Sequence, residues 1–474
     1  MLILRAVESK LRDPAFLPFE LRGKRAALLG LLRLFGERFG DPDRAAFVGF
    51  VPGRIEVLGK HTDYAGGHSL LAVLDRGFLV VASRNGLGRV RMVEDSREFE
   101  PVDFPVSAEL DPRIGSWSNY PMTAVKRAAA NFGASALAGM DVAFSSDLAV
   151  GSGMSGSSAL IIMTFAALAA VNRLDESAVF RSNVHDGVDL AMYLACVENG
   201  QSFRELVGGR GVGTFGGSED HTSILNARAG CLSLYRFAPT IWRADIAWPE
   251  EWAMAVCFSG VRAEKTREAL EKYNHLSIRA RAVVEEWNRA MGTRCTNMRE
   301  VADEAAARAA SAAEDPLPEA TRVLSSSERY PQAEWDLAGR MRQFWIEDRR
   351  HVPGAVRALA ARDATAFGEI SSASHADSRR YLGNIAAEID ELATSARDLE
   401  AWGASGFGAG FGGSAYAVLP AALAQGFVER WKARYAVRYP ERQAEAWFLV
   451  TLPVGGLTEI SRERPGRWVD GLWG

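Results

Sequence analysis

GSGMSGSSAL, residues 151–160, is the stretch whose reading decides the fold. It fits the glycine pattern GxGxxG and follows GMDVAFSSDLA (139–149), which reads as a strand. It opens an apolar run from Ser157 to Leu174 that reads as a long helix. Strand, glycine turn and helix are the setting of a dinucleotide fingerprint, and Asp175 sits about where a ribose-binding acid would. Two features count against that reading. No second strand follows the helix to present Asp175, and the loop carries Ser152, Ser155, Ser157 and Ser158, which a pyrophosphate turn does not require. Hydroxyls and amides at a helix N-terminus suit a triphosphate and its Mg2+ instead. A capped helix start in a tight turn would look the same in isolation, so the rest of the chain has to decide. A Walker A pattern, GxxxxGK[ST], is absent, so a nucleotide site here is not a P-loop.

Upstream, GRIEVLGKHTDYAGGHSL (53–70) sets Arg54, Lys60, His61, Asp63 and Tyr64 between two strand-like runs, 45–60 and 70–84. Period-two geometry puts Arg54, Glu56, Leu58 and Lys60 on one strand face, provided the strand runs that far. Downstream, GVGTFGGSEDHTSIL (211–225) places Asp220 between a glycine-rich approach and a β-like run. An isolated aspartate in a turn is ordinarily a cap, and His221 beside it ordinarily structural. GFGAGFGGSAYAVLP (406–420) also fits GxGxxG, but a strand follows it, so no helix dipole helps. Its glycines would allow close backbone approach to a substrate or to another loop.

The wider chain is that of an ordinary globular protein: 474 residues, 48% hydrophobic and 24% charged, enough for two to four domains. A net charge of -4 and pI near 6.1 advertise neither nucleic acid nor a membrane surface as partner. MLILRAVESKLRDPAF has no signal-peptide pattern, and the apolar run Ala159 to Val171 is too short to span a bilayer. Cys196, Cys231, Cys257 and Cys295 form no CxxC pair and read as buried free thiols in a cytoplasmic protein. Residues 20–40 and 124–133 have helical spacing, 262–400 is mostly helical, and LNARAGCLSLYRF (225–237) has hairpin character. A glycine-rich loop at 403–414, a strand and a helix follow, then a strand at 448–453 and a polar tail. Strands clustered before about 240 and helices after it predict two α+β domains, with no fixed-period repeat.

PGRIEVLGKHTDYAGGHSLL, GSGMSGSSAL and GFGAGFGGSAYAVL resemble, in order and spacing, the three signature motifs of galactokinases in the GHMP kinase superfamily. WSNY (117–120), EKYN (271–274), IEDRRHV (346–352) and SSASHADSRRYLGNIAAEIDELATSA (371–396) also look like galactokinase segments in the same order. The resemblance runs from about residue 20 to 460. It implies a two-domain α+β GHMP kinase fold, 1–240 and 241–474, with the active site in the cleft between domains. It implies ATP and Mg2+ as cofactors and phosphorylation of the anomeric C1 hydroxyl of galactose or a close relative.

By position, the resemblance puts ATP under Gly151, Ser152, Gly153, Met154, Ser155, Gly156, Ser157 and Ser158. Ser157 falls on the Mg2+-binding serine, with Ser158 a near alternative, and Trp117 on an aromatic that packs on adenine. Arg54 and Asp220 match the catalytic pair, Asp63 the sugar-contacting aspartate and Tyr273 a tyrosine beside the sugar. Lys60, His61, Tyr64 and Gly217 complete the expected sugar site. The implied partners are a small sugar and ATP, with no nucleic acid or membrane, and a monomer or weak dimer.

The chemistry is coherent. A sugar hydroxyl is a poor nucleophile, so a carboxylate must take its proton as the phosphoryl group transfers. Arg54 nearby would keep that carboxylate ionised and stabilise charge on the transferring oxygens. Asp63 has two acceptor oxygens suited to adjacent sugar hydroxyls.

The sequence departs from the family in places. The family usually has Glu where Lys60 stands, contacting the sugar's 6-position side. GSED replaces the usual residues before Asp220, MSGSSA stands for LSSSAA, residues 202–213 are a longer insertion, and the chain extends past Val454. Lys60 would favour a uronic acid such as galacturonate, unless it turns away to pair with Glu56 or Glu219. Two other classes remain: a catalytically silent sugar and ATP sensor, and a nucleotide-dependent oxidoreductase. Retention of Arg54, Asp220 and the loop hydroxyls argues against the first, and the missing second strand against the other.

Overall fold

The computed structural model describes residues 1–96, 98–262, 267–308 and 317–473. The first sheet is built from β1 (Phe47–Leu58), β2 (His68–Arg84), β3 (Arg89–Glu94), β4 (Val102–Pro105), β5 (Met140–Ser146), β6 (Cys231–Arg236) and β7 (Ile241–Ala247). The second holds β8 (Trp252–Phe258), β9 (Gly403–Phe407), β10 (Ser414–Pro420) and β11 (Trp447–Thr451), in the order β11–β8–β10–β9. Two short strands, β12 (Thr458–Glu459) and β13 (Gly466–Arg467), return to the first sheet, which runs β13–β12–β1–β2–β5–β3–β4. This is the mixed α+β architecture expected of a GHMP kinase fold.

β2 organises the first sheet. It pairs with β1 along its length, with β5 through Phe78–Arg84 and with β6 through His68–Leu71. β6 and β7 form the expected hairpin, so residue 240 falls in the turn between two paired strands. The β1–β2 register shifts between Pro52 and Arg54 and again between Glu56 and Leu58. Such bulges re-aim side chains beside functional sites, and this pair brackets Arg54 and Glu56.

The helix Gly156–Asn172 lies beneath β1 and β2, and every residue from Ser158 to Ala169 is buried. A helix apolar on all sides is a central core element. Each of Leu160, Ile161, Met163 and Phe165 contributes roughly 1.5–3 kcal/mol by leaving water, which anchors the loop at the helix's N-terminus. The second sheet packs on helices Ala387–Asp398 and Ala424–Arg438 around Trp431, whose indole N–H donates to Leu392 O at 3.1 Å. Helices Arg267–Met291, Pro318–Ser325 and Leu337–Ile346 form a third cluster around Trp287 and Phe344.

Four sequence expectations change. The Glu219–Asn226 segment is a helix, not a β-like run, so Asp220 sits in a helical first turn. Residues 403–407, expected as loop, are strand β9, because small side chains let its glycines pair closely with β10. The polar tail is structural: β12 pairs Glu459 with Gly49, and buried Trp468 packs 6.4 Å from the Phe47 ring. Two-residue strands carry too little alternation to be read in advance. The four cysteines are free, but only Cys257 is fully buried. Among the described residues no helix is long and apolar enough to cross a membrane.

Candidate active site

A cavity of about 730 Å3 opens where the first sheet, the N-terminus of the Gly156–Asn172 helix and the loop Gly408–Phe411 meet. Its wall has an apolar part, with Phe78, Phe99, Trp117, Leu148 and Val150, and a polar part built on Arg54 and Asp220. Of the residues singled out in the sequence, Arg54, His61, Asp63, Tyr64, Trp117, Gly217, Asp220 and Tyr273 line it. Gly151, Ser152, Gly153, Ser155, Gly156, Ser157 and Ser158 line it as well. Lys60 and Met154 do not.

Arg54 reaches the cavity from β1. Its Nε donates to Asp220 Oδ1 at 2.7 Å, its Nη1 donates to Gly153 O at 3.0 Å, and Glu219 Oε1 lies 3.8 Å away. Burial pushes the Asp220 carboxyl up, but the Arg54 charge and hydrogen bond outweigh it and hold it below the usual range. The side chain keeps 29% of its surface open. It is an ionised carboxylate presented to the cavity.

The phosphate-type loop is shaped by left-handed backbone at Gly151 (φ 71°), Gly153 (φ 74°) and Ser155 (φ 60°) before the helix begins. Its position is fixed by the third glycine loop. A Cβ on Gly408 would stand 2.6 Å from Gly153 O, and Ser414 Oγ donates to Ser152 O at 2.6 Å. The glycines of 406–413 thus serve close approach to another loop. Met154 turns its side chain into the core, and its carbonyl accepts the Arg54 N–H at 3.1 Å.

The donors around the helix start suit phosphate and Mg2+. Ser155 Oγ is buried beside the Asp220 carboxylate, which it helps hold ionised, at the N-terminus of the Gly156–Asn172 helix. Ser158 Oγ donates to Glu198 Oε2 at 2.8 Å and lies 3.4 Å from Asp220 Oδ2. Hydroxyl and carboxylate oxygens are the donors a hard divalent cation takes, alongside phosphate oxygens and water. Ser158 and Glu198 are donors of that kind, and Ser157 lines the same cavity.

Trp117 stands among aromatic rings, 5.2 Å from Phe99 and 5.7 Å from Phe144 between centroids. That apolar, aromatic wall is suited to a purine ring.

On the other side, Asp63 opens a short helical turn, Asp63–Ala65. Gly217 packs so close that a Cβ there would lie 2.2 Å from Asp63 Oδ2. Burial pushes the Asp63 carboxyl up to about 6. Burial also holds the His61 imidazole down near 3 and therefore neutral; its Nδ1 is 3.0 Å from Tyr64 Oη and its Nε2 3.2 Å from the Asn384 amide. Tyr273 closes this side, its ring 6.1 Å from that of His61. Asn274 next to it holds the glycine loop, accepting from Phe215 N–H at 3.1 Å and donating to Gly213 O at 3.2 Å.

Lys60 is buried beneath the wall. Its Nζ donates to the backbone carbonyls of Glu56 (3.1 Å) and Val57 (3.4 Å) and lies 5.8 Å over the Tyr416 ring. β1 ends at Leu58, and Gly59, at φ 105°, breaks the alternation that would have carried Lys60 onto the Arg54 face.

Several working residues carry no signal in the linear sequence. Glu198 ends a mostly apolar helix and meets Ser158 only in the fold. Glu347, in a π-helical turn, accepts from Gly59 N–H at 2.7 Å and Lys60 N–H at 3.3 Å, and Asp348 accepts from His68 N–H at 2.8 Å. These two carboxylates pin the backbone of the 59–68 loop from the far half of the chain. The IEDRRHV match pointed at the segment without giving it this role.

Comparison with known proteins gives matches in chain order: a galactokinase galactose-binding signature at residues 33–84, the GHMP kinases N terminal domain at 119–192 and the GHMP kinases C terminal at 355–437. A galactokinase of Chloroflexus aurantiacus is 29% identical over 416 residues, 86% of this chain and 92% of its own. One from Roseiflexus is 27% identical over 363 residues, 76% of this chain and 80% of its own. One from Enterococcus faecalis is 31% identical over 134 residues, 28% of this chain and 34% of its own. In solved structures, Lactococcus lactis galactokinase complexed with galactose has a TM-score of 0.72 at 22% identity, covering 91% of this chain and 100% of that one. An L. major mevalonate kinase has a TM-score of 0.53 at 13% identity, covering 88% and 99%. The structural likenesses establish a shared fold.

Proposed function

The chain belongs to the galactokinase family of the GHMP kinases, sugar phosphotransferases with an alcohol acceptor, and on that premise we propose that it transfers the γ-phosphoryl group of ATP to the C1 hydroxyl of galactose. The observation that carries this reading is Asp220, ionised and 2.7 Å from Arg54, between the hydroxyl-rich helix start and the Asp63 recess. Asp220 takes the proton of the C1 hydroxyl as that oxygen bonds to the γ-phosphorus. The bond from that phosphorus to the bridging oxygen breaks, and ADP leaves. Arg54 keeps the base ionised and offers charge to the transferring oxygens, and the loop amides with Ser155 hold the phosphates. Mg2+, held by Ser157, Ser158 and Glu198, would neutralise phosphate charge. Asp63, with Tyr273 and His61 around it, orients the sugar.

In this reading the cleft lies between an N-terminal unit, 1–240, and a C-terminal unit, 241–474, which begins with β7 and ends with β12 and β13 in the first sheet. The test is ADP release that depends on both galactose and Mg2+-ATP, with a product whose phosphate is acid-labile, as a glycosyl phosphate is. A silent binder would bind sugar and ATP in calorimetry and release no ADP, and that result would overturn the assignment.

A further inference from the structure

We propose that Glu56 sets acceptor choice, its carboxylate taking a hydroxyl of a neutral hexose and excluding hexuronates from the recess. This rests on the sugar-kinase reading of the cavity. Glu56 lies two residues beyond Arg54 on β1 and also faces the cavity. Arg54 is already committed to Asp220, Gly153 and Glu219. Among the described residues Glu56 accepts hydrogen bonds from two backbone amides, His61 N–H at 3.2 Å on one oxygen and Gly408 N–H at 3.1 Å on the other, and the charges of Lys60 and Arg54 act on it from further off. Among the described residues it makes no ion pair within 4 Å, although it is buried. A carboxylate has about four acceptor positions, so lone pairs remain for a ligand hydroxyl.

Among the described lining residues a second anion finds little positive charge. Arg54 is the one lysine or arginine among the described lining residues, and Asp63, Glu219 and Asp220 share the wall with Glu56. These acids already strain one another: burial, then the charges of Glu56 and Asp63, drive the Glu219 carboxyl well up, and burial lifts Glu56 to about 7. The ammonium of Lys60, the group that could pair with a uronate, is turned onto backbone carbonyls beneath the wall.

The experiment measures galactose and galacturonate binding by calorimetry without nucleotide, and ADP release with Mg2+-ATP, at a pH well above the value of about 7 at which Glu56 protonates, for wild type, Glu56→Gln, Glu56→Asp and Lys60→Met. Wild type is expected to prefer galactose by at least ~10-fold in both readouts, as loss of a charge-assisted hydrogen bond plus like-charge repulsion implies. Glu56→Gln is expected to shrink that preference at least ~10-fold, while Glu56→Asp and Lys60→Met keep galactose ahead. Circular-dichroism melting checks each fold, and the wild-type and Glu56→Asp preferences decide the matter if the Gln variant does not fold. Equal binding of the two sugars by wild type, or a Glu56→Gln preference equal to wild type, overturns the proposal. A folded wild type that phosphorylates neither sugar overturns the underlying kinase reading instead.

Discussion

Arg54 Nε lies 2.7 Å from Asp220 Oδ1, joining a bulged strand to a helical first turn 166 positions later in the chain. The contact orders both partners, because Arg54 is also tied to Gly153 of the phosphate-type loop at 3.0 Å. The proposed base, charge stabiliser and phosphate cradle thereby share one rigid frame, which is what proximity catalysis demands. Asp220→Asn keeps an oxygen for Arg54 but has no basic site for a proton. Turnover is expected to fall on the order of 10²-fold or more with little change in melting temperature. Near wild-type turnover in a folded variant would remove Asp220 from the mechanism.

The nucleotide side gives a second test. Ser157→Ala and Glu198→Gln should each raise the Mg2+-ATP concentration needed for half-maximal rate, by about 10-fold, and leave galactose binding nearly intact. Ser158→Ala should in addition lower turnover, because its hydroxyl lies between Glu198 and Asp220. Separate titrations of ATP, Mg2+ and sugar distinguish these effects. A change confined to the sugar's apparent affinity would move the loop out of nucleotide binding.

The pH dependence should report the sugar side rather than the base. Arg54 keeps Asp220 ionised well into acid, whereas burial places the Asp63 carboxyl at about 6. Lowering pH through that value protonates Asp63 and removes acceptor capacity for sugar hydroxyls. kcat/KM for galactose should therefore fall as pH drops through about 7, where Glu56 protonates, and further through about 6, where Asp63 does, with kcat at saturating sugar holding to lower pH. Asp63→Asn should remove the lower step of that limb while lowering affinity at every pH. A limb unchanged by Asp63→Asn would assign it to another member of the acidic cluster.

Much of this site could be read from the chain before folding, and the exceptions share a cause. The strand before 151–160 and the apolar helix after it announce a phosphate cradle, and Arg54 stands on a clear strand. Lys60 misleads because its direction is set by the break at Gly59, which period-two counting cannot see. Glu198 is hidden because its meaning lies in a hydroxyl 40 positions away. The 59–68 loop is clamped by Glu347, 288 positions from Gly59, a distance over which local spacing says nothing. The segment after Val454 reads as a tail because its strands are two residues each.

Gly217 offers the sharpest separation of sugar from nucleotide effects. An added Cβ would stand 2.2 Å from Asp63 Oδ2 and 2.7 Å from its Cγ, so Asp63 has to move. Its carboxyl cannot swing freely, because the backbone N–H groups of Tyr64 and Glu219 hold it. A misplacement of about 1 Å at a positioning group can cost ~10²-fold in rate, so Gly217→Ala should raise KM for galactose at least ~10-fold. KM for Mg2+-ATP should stay within about 2-fold, since the phosphate loop is held independently through Ser414 and Gly408. Gly209→Ala is the control: it belongs to the same glycine-rich segment, and a Cβ there meets nothing within 4 Å. Steady-state kinetics on the two variants decide the point. If Gly217→Ala behaves as Gly209→Ala does, Asp63 does not position the sugar; a KM change for Mg2+-ATP alone would place Gly217 on the nucleotide side.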